Sequence, residues 1–554
     1  MLRQTLPVSM LERLSLSSSN FHALRALNQI YIDKTDNIGD LAQVRGRFFL
    51  SRPRRFGKTL LLSTFASLFA NGIADFAGLH LENRWKEEAF PVISLNFASF
   101  RRESAEAFRD GLFCALQRAF TNVFPHLAGF PLTNKDTPDS LLARYCVSIQ
   151  TLNLVMLIDE YDAPIIHSLP DEQKAQSILD SLSAFFNTLK EFSWKFRFIF
   201  ITGITRVSHV SLFSDVNFLE DISFNKEYNH LLGITEEELH RYFDPYIRNA
   251  ATVLHLPVED VYRRLKARYD GYQFSPDAQD TVYNPWSVLK FLRKPEHHFE
   301  NYWYDSGCVP SILQNYITGK NHNSNFFFSL ESVIQDKEIL SGRKRAISLS
   351  RNELKIKSNT DTIPYSILLL QTGYYTLRYE NKTSVSICLP NEEVAESLIL
   401  LYLQSKNRKL SIDTRNALDT LPQLIDSSDL PKIVELFNII LTESLTPSSN
   451  AFTNENTIRD IIYMLIPDAL VFKAREVPNA HGFSDMELQT PKTQLIIEFK
   501  RSYPGKSVNT ALEEGIKQMR SRRYGRTLTK QRLLRVVIVL STSDRALVAW
   551  DVVN

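Results

Sequence analysis

Ser51-Arg52-Pro53-Arg54-Arg55-Phe56-Gly57-Lys58-Thr59 is the stretch on which the reading of this chain turns. A short apolar run, Phe48-Phe49-Leu50, precedes it, and residues 60–69, with helical spacing, follow it. Strand, loop and helix in that order are the setting in which a Gly-Lys-Thr sequence cradles phosphate. Gly57 lets the backbone come close to an anion, and successive N–H groups at the helix start form a nest for it. Lys58 would reach the β- and γ-phosphates of a nucleotide, and the Thr59 hydroxyl would hold Mg²⁺. Arg52 stands where the generic loop has glycine, and Arg52, Pro53, Arg54 and Arg55 make the loop stiffer and more cationic than usual.

Outward from the loop, strand-like runs at 47–50, 92–97, 154–158 and 196–202 alternate with helical patterns at 60–69, 105–120 and 173–192. Continuous apolar strands separated by helices indicate a parallel sheet covered on both faces. The third run ends in Asp159-Glu160. The C-terminal ends of parallel strands are where ligands bind in open α/β sheets. Asp159 would hold Mg²⁺ directly or through water, and Glu160 would polarise the attacking water; capping a strand end is the plainer role for both. The fourth run leads into Gly203-Ile204-Thr205-Arg206. Thr202 or Thr205 could sense the γ-phosphate there and Arg206 could neutralise transferred charge, although a structural threonine and a solvated arginine read equally well.

Composition bounds the rest. The 554 residues allow about three or four domains. A net charge of +2 says nothing about partners. No apolar run approaches the roughly 20 residues of a membrane span, and no basic stretch followed by an apolar segment opens the chain, so neither a membrane anchor nor a secretion signal is expected. Cys114, Cys146, Cys308 and Cys388 lie far apart, which argues against a zinc site or disulfide framework and fits a reducing cytoplasm.

Tyr31-Ile32-Asp33-Lys34-Thr35, the arginine-rich loop and Leu157-Ile158-Asp159-Glu160-Tyr161-Asp162-Ala163-Pro164-Ile165 together resemble the AAA-ATPase-like family of mostly prokaryotic proteins. Tyr269-Asp270-Gly271-Tyr272, Tyr283-Asn284-Pro285-Trp286 and Gln371-Thr372-Gly373-Tyr374 resemble its later segments. The resemblance implies an additional-strand P-loop NTPase fold and ATP rather than GTP. It also makes the arginine-rich loop the usual form, with Arg52, Arg54, Arg55, Phe56, Gly57, Lys58 and Thr59 as nucleotide-binding positions beside Asp159, Thr202 and Arg206.

A second constellation lies near the C-terminus. Gly482–Leu488 is strand-like, a polar turn follows at 490–493, and Leu495-Ile496-Ile497-Glu498-Phe499-Lys500 comes next. Side chains alternate along a strand, so Glu498 and Lys500 share a face. Burying them in an apolar strand is costly unless they are paired or bind metal. Across the hairpin Asp485 can approach Glu498, and two carboxylates with a lysine suit a Mg²⁺ phosphodiesterase; an edge-strand salt bridge would use the same residues. The pattern resembles the PD-(D/E)XK nuclease superfamily, which AAA-ATPase-like proteins commonly carry at this end. That resemblance implies catalytic roles for Asp485, Glu498, Lys500 and Gln518, with metal on Asp485 and Glu498. Ala511, Gln518 and Tyr524 in a following helix, the apolar run 536–540 and Ala549-Trp550-Asp551-Val552 agree with it. Ser484 replaces a proline, and the superfamily's extra acid would be Glu455 or Asp460. A basic run, Lys517, Arg520, Arg522, Arg523, Arg526, Lys530, Arg532 and Arg535, would neutralise nucleic-acid phosphates or simply face solvent. Tyr302-Trp303-Tyr304 reads as core more than as a base-stacking platform.

The expectation is therefore an α/β P-loop domain at 1–235, a helical lid at 236–322, a mixed region at 323–440 with a linker at 447–450 following it, and an α+β restriction-endonuclease-like domain at 441–554. ATP and Mg²⁺ are the expected cofactors and DNA the expected partner, with RNA and a homo-oligomer left open and the cytoplasm as location. The expected activity is ATP binding and hydrolysis gating a metal-dependent nuclease. The competing expectation is an ATP-operated switch or scaffold whose nuclease-like domain only binds a partner or nucleic acid.

Overall fold

A computed structural model describes residues 6–16, 18–100, 104–132, 136–168, 171–206, 218–306, 347–351, 354, 365–405, 411–445, 452, 454–466, 470–479, 482–525 and 531–553. These divide into two compact units, one running to Val394 and the other from Ala395 onward, with 297–300 grouped with the second. The expected linker at 447–450, much of the expected mixed region, Arg526 and Lys530 lie outside the described residues.

The first unit is organised by a five-stranded sheet of β1 (Arg47–Ser51), β2 (Val92–Asn96), β3 (Leu154–Asp159), β4 (Phe196–Gly203) and β5 (Glu220–Asp221), in the order β2-β3-β4-β1-β5. Every pairing is parallel. β3 and β4 are buried along their whole length, because helices cover both faces. Alternation assigns the faces: Phe198 and Phe200 pack on Phe65 of the helix Lys58–Asn71, at 5.1 and 5.0 Å between ring centroids. Ile199 and Ile201 join the opposite core with Phe108, Leu112, Leu141 and Leu182. β2 alternates between buried and exposed residues, as an edge strand does. β4 lies between the loop strand β1 and the acidic strand β3, the order that defines the additional-strand class.

Helices Glu236–Leu254, Val258–Tyr269 and Pro285–Arg293 follow. The first opens with a capping box in which Thr235 and Glu238 satisfy each other's backbone N–H groups. A small antiparallel sheet of β6 (Ile347–Ser350), β7 (Thr376–Tyr379) and β8 (Ser384–Cys388) ends the unit. Trp303 is fully buried and meets Tyr374 edge-on at 5.1 Å, so it belongs to the core.

The second unit is built on β9 (Phe472–Asn479), β10 (Gly482–Gln489), β11 (Thr493–Ser502), β12 (Arg532–Ser541) and β13 (Ala546–Val552), ordered β13-β12-β11-β10-β9. β11 and β12 are parallel and the other neighbours antiparallel. A parallel pair needs a crossover, supplied here by the helix Val508–Arg522. That helix approaches closely at Gly515, where a Cβ would come within 2.4 Å of Val537. Its Met519 packs with Ile496, Val537 and Tyr524. This mixed sheet with its covering helix is the expected α+β domain.

Candidate functional site

The first site is assembled at the C-terminal ends of β1, β3 and β4. Gly57 precedes the helix Lys58–Asn71 with φ 97°, a left-handed conformation that glycine adopts without a Cβ penalty. This turn aims the first N–H groups of the helix into the loop. Lys58 is buried and donates from Nζ to the carbonyls of Arg52 and Pro53, each at 2.9 Å. Burial lowers its pKa, and the charges of Asp159, Glu160 and Asp162 oppose that shift. A triphosphate in the loop would offer this ammonium charged acceptors in place of two carbonyls.

Asp159 receives one hydroxyl on each oxygen: Thr59 Oγ1 donates to Oδ2 at 2.7 Å and Thr202 Oγ1 donates to Oδ1 at 2.6 Å. Loop, acidic strand and intervening strand therefore meet at one carboxylate. Thr59 and Asp159 present hard oxygen donors of the kind Mg²⁺ takes, so they fit the expected ion. Glu160 follows in a left-handed conformation, φ 50°, half-buried, and burial raises its carboxyl pKa. It lines a cavity of about 520 Å³ together with Arg54, Gly57, Lys58, Thr59 and Ile32. Phe56, also on the cavity wall, is anchored edge-on against Tyr272 and Phe274. Arg55 lies exposed at the rim with its guanidinium 4.2 Å from the Trp286 ring centroid.

Two arginines sit elsewhere than the sequence reading places them. Arg52 is 1 % exposed and lies off the cavity. Its guanidinium donates to the carbonyls of Ser51, Ser223 and Tyr228 and lies 4.2 Å from the Phe274 ring centroid. Burial lowers its pKa to about 9. Arg52 thus ties the loop to the segment after β5. Arg206 pairs with Asp221 at 2.5 Å, donates to the carbonyl of Leu354 and lies over Phe224, again off the cavity. Both guanidiniums find internal acceptors that a sequence pattern does not display.

Asp162 is a residue the motif contains but its pattern does not explain. Its Oδ2 accepts from the Ile204 and Thr205 backbone N–H groups and from Thr205 Oγ1, at 3.0, 2.6 and 2.8 Å. Thr205 is thereby held by Asp162, whereas Thr202 is the threonine that reaches Asp159. A Cβ on Gly203 would meet the Tyr161 ring at 2.4 Å, so glycine there lets the acidic turn close on β4.

The second site is on the β10–β11 hairpin. Met486 pairs with Ile497, so the same register carries Asp485 beside Glu498. The Asp485 Oδ2 accepts from the Phe499 N–H at 2.8 Å. Glu498 is 1 % exposed; its Oε1 accepts from Lys500 Nζ at 2.6 Å and from Gln518 Nε2. Its Oε2 is buried and has no hydrogen-bond partner among the described residues. Burial, and then the charge of Asp485, pushes the Glu498 carboxyl up to about 7. Burial pulls Lys500 down, but the charge of Glu498, its hydrogen bond and the charges of Asp485 and Glu455 together outweigh it, and the net shift is upward. A buried carboxylate oxygen without a donor is costly, and a divalent cation on Asp485 and Glu498 would relieve it. Among the described residues no group of three or more His, Cys, Asp or Glu side chains gathers as a fuller cage.

The flanking helix Glu455–Leu465 separates the two candidates for an extra acid. Glu455 lies 3.7 Å from Arg501 and its charge reaches Lys500, whereas Asp460 is buried against Arg459 at 2.6 Å. Arg459 itself, fully buried and 3.7 Å from Asp485 Oδ1, escaped the sequence reading, because a lone arginine on a helix has no signature. The basic run sorts by burial. Lys517, Arg520 and Arg523 face solvent; Arg532 donates to the Asp426 carbonyl and Arg535 to the Tyr524 carbonyl.

Residues 16–213 match the family of predicted AAA-ATPases and residues 453–550 match the PD-(D/E)XK nuclease superfamily. The chain is also 30 % identical over 384 residues to an uncharacterized protein encoded in the vnfD 5′ region of Azotobacter chroococcum mcd 1, with 67 % of each chain covered.

Proposed function

Because the chain belongs to the AAA-ATPase-like family and carries a PD-(D/E)XK nuclease superfamily domain at its C-terminal end, we propose that it binds and hydrolyses ATP and that the nucleotide cycle gates a Mg²⁺-dependent nuclease acting on DNA. One observation carries the reading. A loop lysine, a hydroxyl and a carboxylate converge on one sheet, and two neighbouring carboxylates and a lysine converge on another.

In the ATPase site the helix N-terminus and Lys58 hold the β- and γ-phosphates. Thr59 and Asp159 would hold Mg²⁺. Glu160, with its pKa raised by burial, is suited to take a proton from the attacking water. Thr202, bonded to Asp159, would sense a change at the γ-phosphate through that partner. In the nuclease site Asp485 and Glu498 would hold the cation, which supplies positive charge to phosphate oxygens and lowers the pKa of water. Lys500 steadies charge developing on the phosphate, and Gln518 fixes the orientation of Glu498. Purified full-length protein, incubated with labelled DNA and Mg²⁺ or Mn²⁺ with and without ATP, tests the proposal. Cleavage that depends on Asp485 supports it, and failure to cleave any nucleic-acid form refutes the nuclease half.

A further inference from the structure

Arg522 ends the helix that supplies Gln518. Arg523 then turns left-handed, φ 50°, and returns Tyr524 under the helix. The buried Tyr524 hydroxyl accepts from Gln518 Nε2 at 3.2 Å and from Arg522 Nη1 at 3.1 Å. Arg522 is thus joined through Tyr524 and Gln518 to Glu498. Its side chain also crosses Gly482 at the start of β10, three residues before Asp485. A Cβ on Gly482 would meet Arg522 Cδ, Nη1 and Nε at 3.0, 3.1 and 3.2 Å. Gly482 has φ 148°, where a side chain is strained in any case. The bare backbone at Gly482 therefore sets the guanidinium over the mouth of the hairpin. There the charges of Glu498 and Asp485 act on it, and the side chain is half-buried.

This distinguishes Arg522 from its neighbours. Among the described residues of the basic run, Arg532 and Arg535 are turned onto carbonyls, and Lys517, Arg520 and Arg523 stand in solvent. Arg522 is the member linked by hydrogen bonds to Glu498. A guanidinium offers five N–H donors in a rigid fork suited to phosphate oxygens.

We infer that Arg522 is the strand-holding residue of the second site: it binds a non-bridging phosphate oxygen of DNA beside the acid pair and sets the phosphodiester against Glu498 and Lys500. The inference rests on reading that site as a phosphodiesterase centre. It adds a residue outside the motif that gives the site grip on the backbone without reading bases.

The test compares Arg522→Ala and Arg522→Lys with the parent in the Glu498→Gln background, using a short fluorescein-labelled DNA duplex and the matching single strand. Anisotropy gives Kd across a salt series, and circular dichroism checks folding. Arg522→Ala is expected to weaken binding about tenfold and to lower the slope of log K against log salt by about one. Arg522→Lys restores the slope, because the charge returns, while part of the affinity stays lost with the fork. In the otherwise wild-type protein, Arg522→Ala raises KM for DNA more than it lowers kcat. Unchanged affinity and slope overturn the inference. So does a change confined to Mn²⁺ affinity, measured by calorimetry, which would make Arg522 only a counter-charge for the carboxylates. The two readings fail separately. A wild-type protein that cleaves, with DNA binding indifferent to Arg522, sinks the strand-holding role alone. A protein that neither binds Mn²⁺ nor cleaves, yet loses DNA affinity and salt slope with Arg522→Ala, sinks the nuclease reading alone.

Discussion

Replacing Arg52 with methionine separates a phosphate ligand from a structural tie. The guanidinium donates to Ser223 O at 2.8 Å and Tyr228 O at 2.9 Å, partners 171 and 176 residues away in sequence. It also stacks on Phe274. Methionine keeps most of the apolar stem but makes none of these bonds. A hydrogen bond with a charged partner contributes about 1.5–3 kcal/mol, so two long-range ones contribute about 3–6 kcal/mol. Removing a buried charge returns part of that, since desolvation is already severe enough to bring the Arg52 pKa to about 9. The net expectation is a loss of about 3 kcal/mol, placed on the first unit. Urea unfolding followed by near-ultraviolet circular dichroism reads that loss, and a fluorescent ATP analogue titrated well below the unfolding midpoint reads the nucleotide site. The expected result is an earlier midpoint with ATP affinity changed less than about threefold. An unchanged midpoint with ATP affinity gone would refute the reasoning and return Arg52 to the phosphates.

Lys58→Ala is expected to abolish ATP binding and turnover, whereas Glu160→Gln should keep binding and lose turnover at least about a hundredfold; a phosphate-release assay with parallel nucleotide titration checks both. Asp485→Ala and Lys500→Ala should each abolish DNA cleavage and leave the ATPase rate intact, which gel-based cleavage and phosphate release measure side by side. Glu498 adds a pH dependence whose sign follows from its raised pKa. Folding favours its protonated form, so in metal-free protein the cost of this group is absent below its ordinary value of 4.5 and grows as pH rises to about 7. With chelator present, unfolding temperature should therefore decline between about pH 5 and pH 8, and Glu498→Gln should flatten that decline. DNA cleavage at limiting Mg²⁺ should weaken as pH falls, because the proton and the cation compete for Glu498, whose metal-free pKa is raised by burial.

The parts of this molecule written as local pattern were legible in its sequence. Continuous apolar runs forecast β3 and β4, because a strand buried on both faces has no polar side to alternate. The period of two put Glu498 and Lys500 on one face, and the hairpin register then brought Asp485 to them. Partners distant in sequence were not legible. Arg52 meets Ser223 and Tyr228, and Arg206 meets Asp221, through contacts made only once β5 lies beside β1. β5, two residues long, is too short to show a period. Arg459 beside Asp485 and the Arg522–Tyr524–Gln518 chain depend in the same way on how helices lie against the second sheet. Asp162 was visible as a letter in a motif, but its grip on Ile204 and Thr205 needs β3 and β4 to be neighbours.

The most direct test of the account is single-turnover DNA cleavage by the full-length protein in Mg²⁺ or Mn²⁺, with ATP, with a non-hydrolysable analogue and with no nucleotide, for wild type, Lys58→Ala and Asp485→Ala. The account predicts a wild-type cleavage rate that changes with nucleotide, a rate for Lys58→Ala that does not, and no cleavage by Asp485→Ala. Cleavage that is the same in every nucleotide state and in Lys58→Ala, or that survives loss of Asp485, would contradict it.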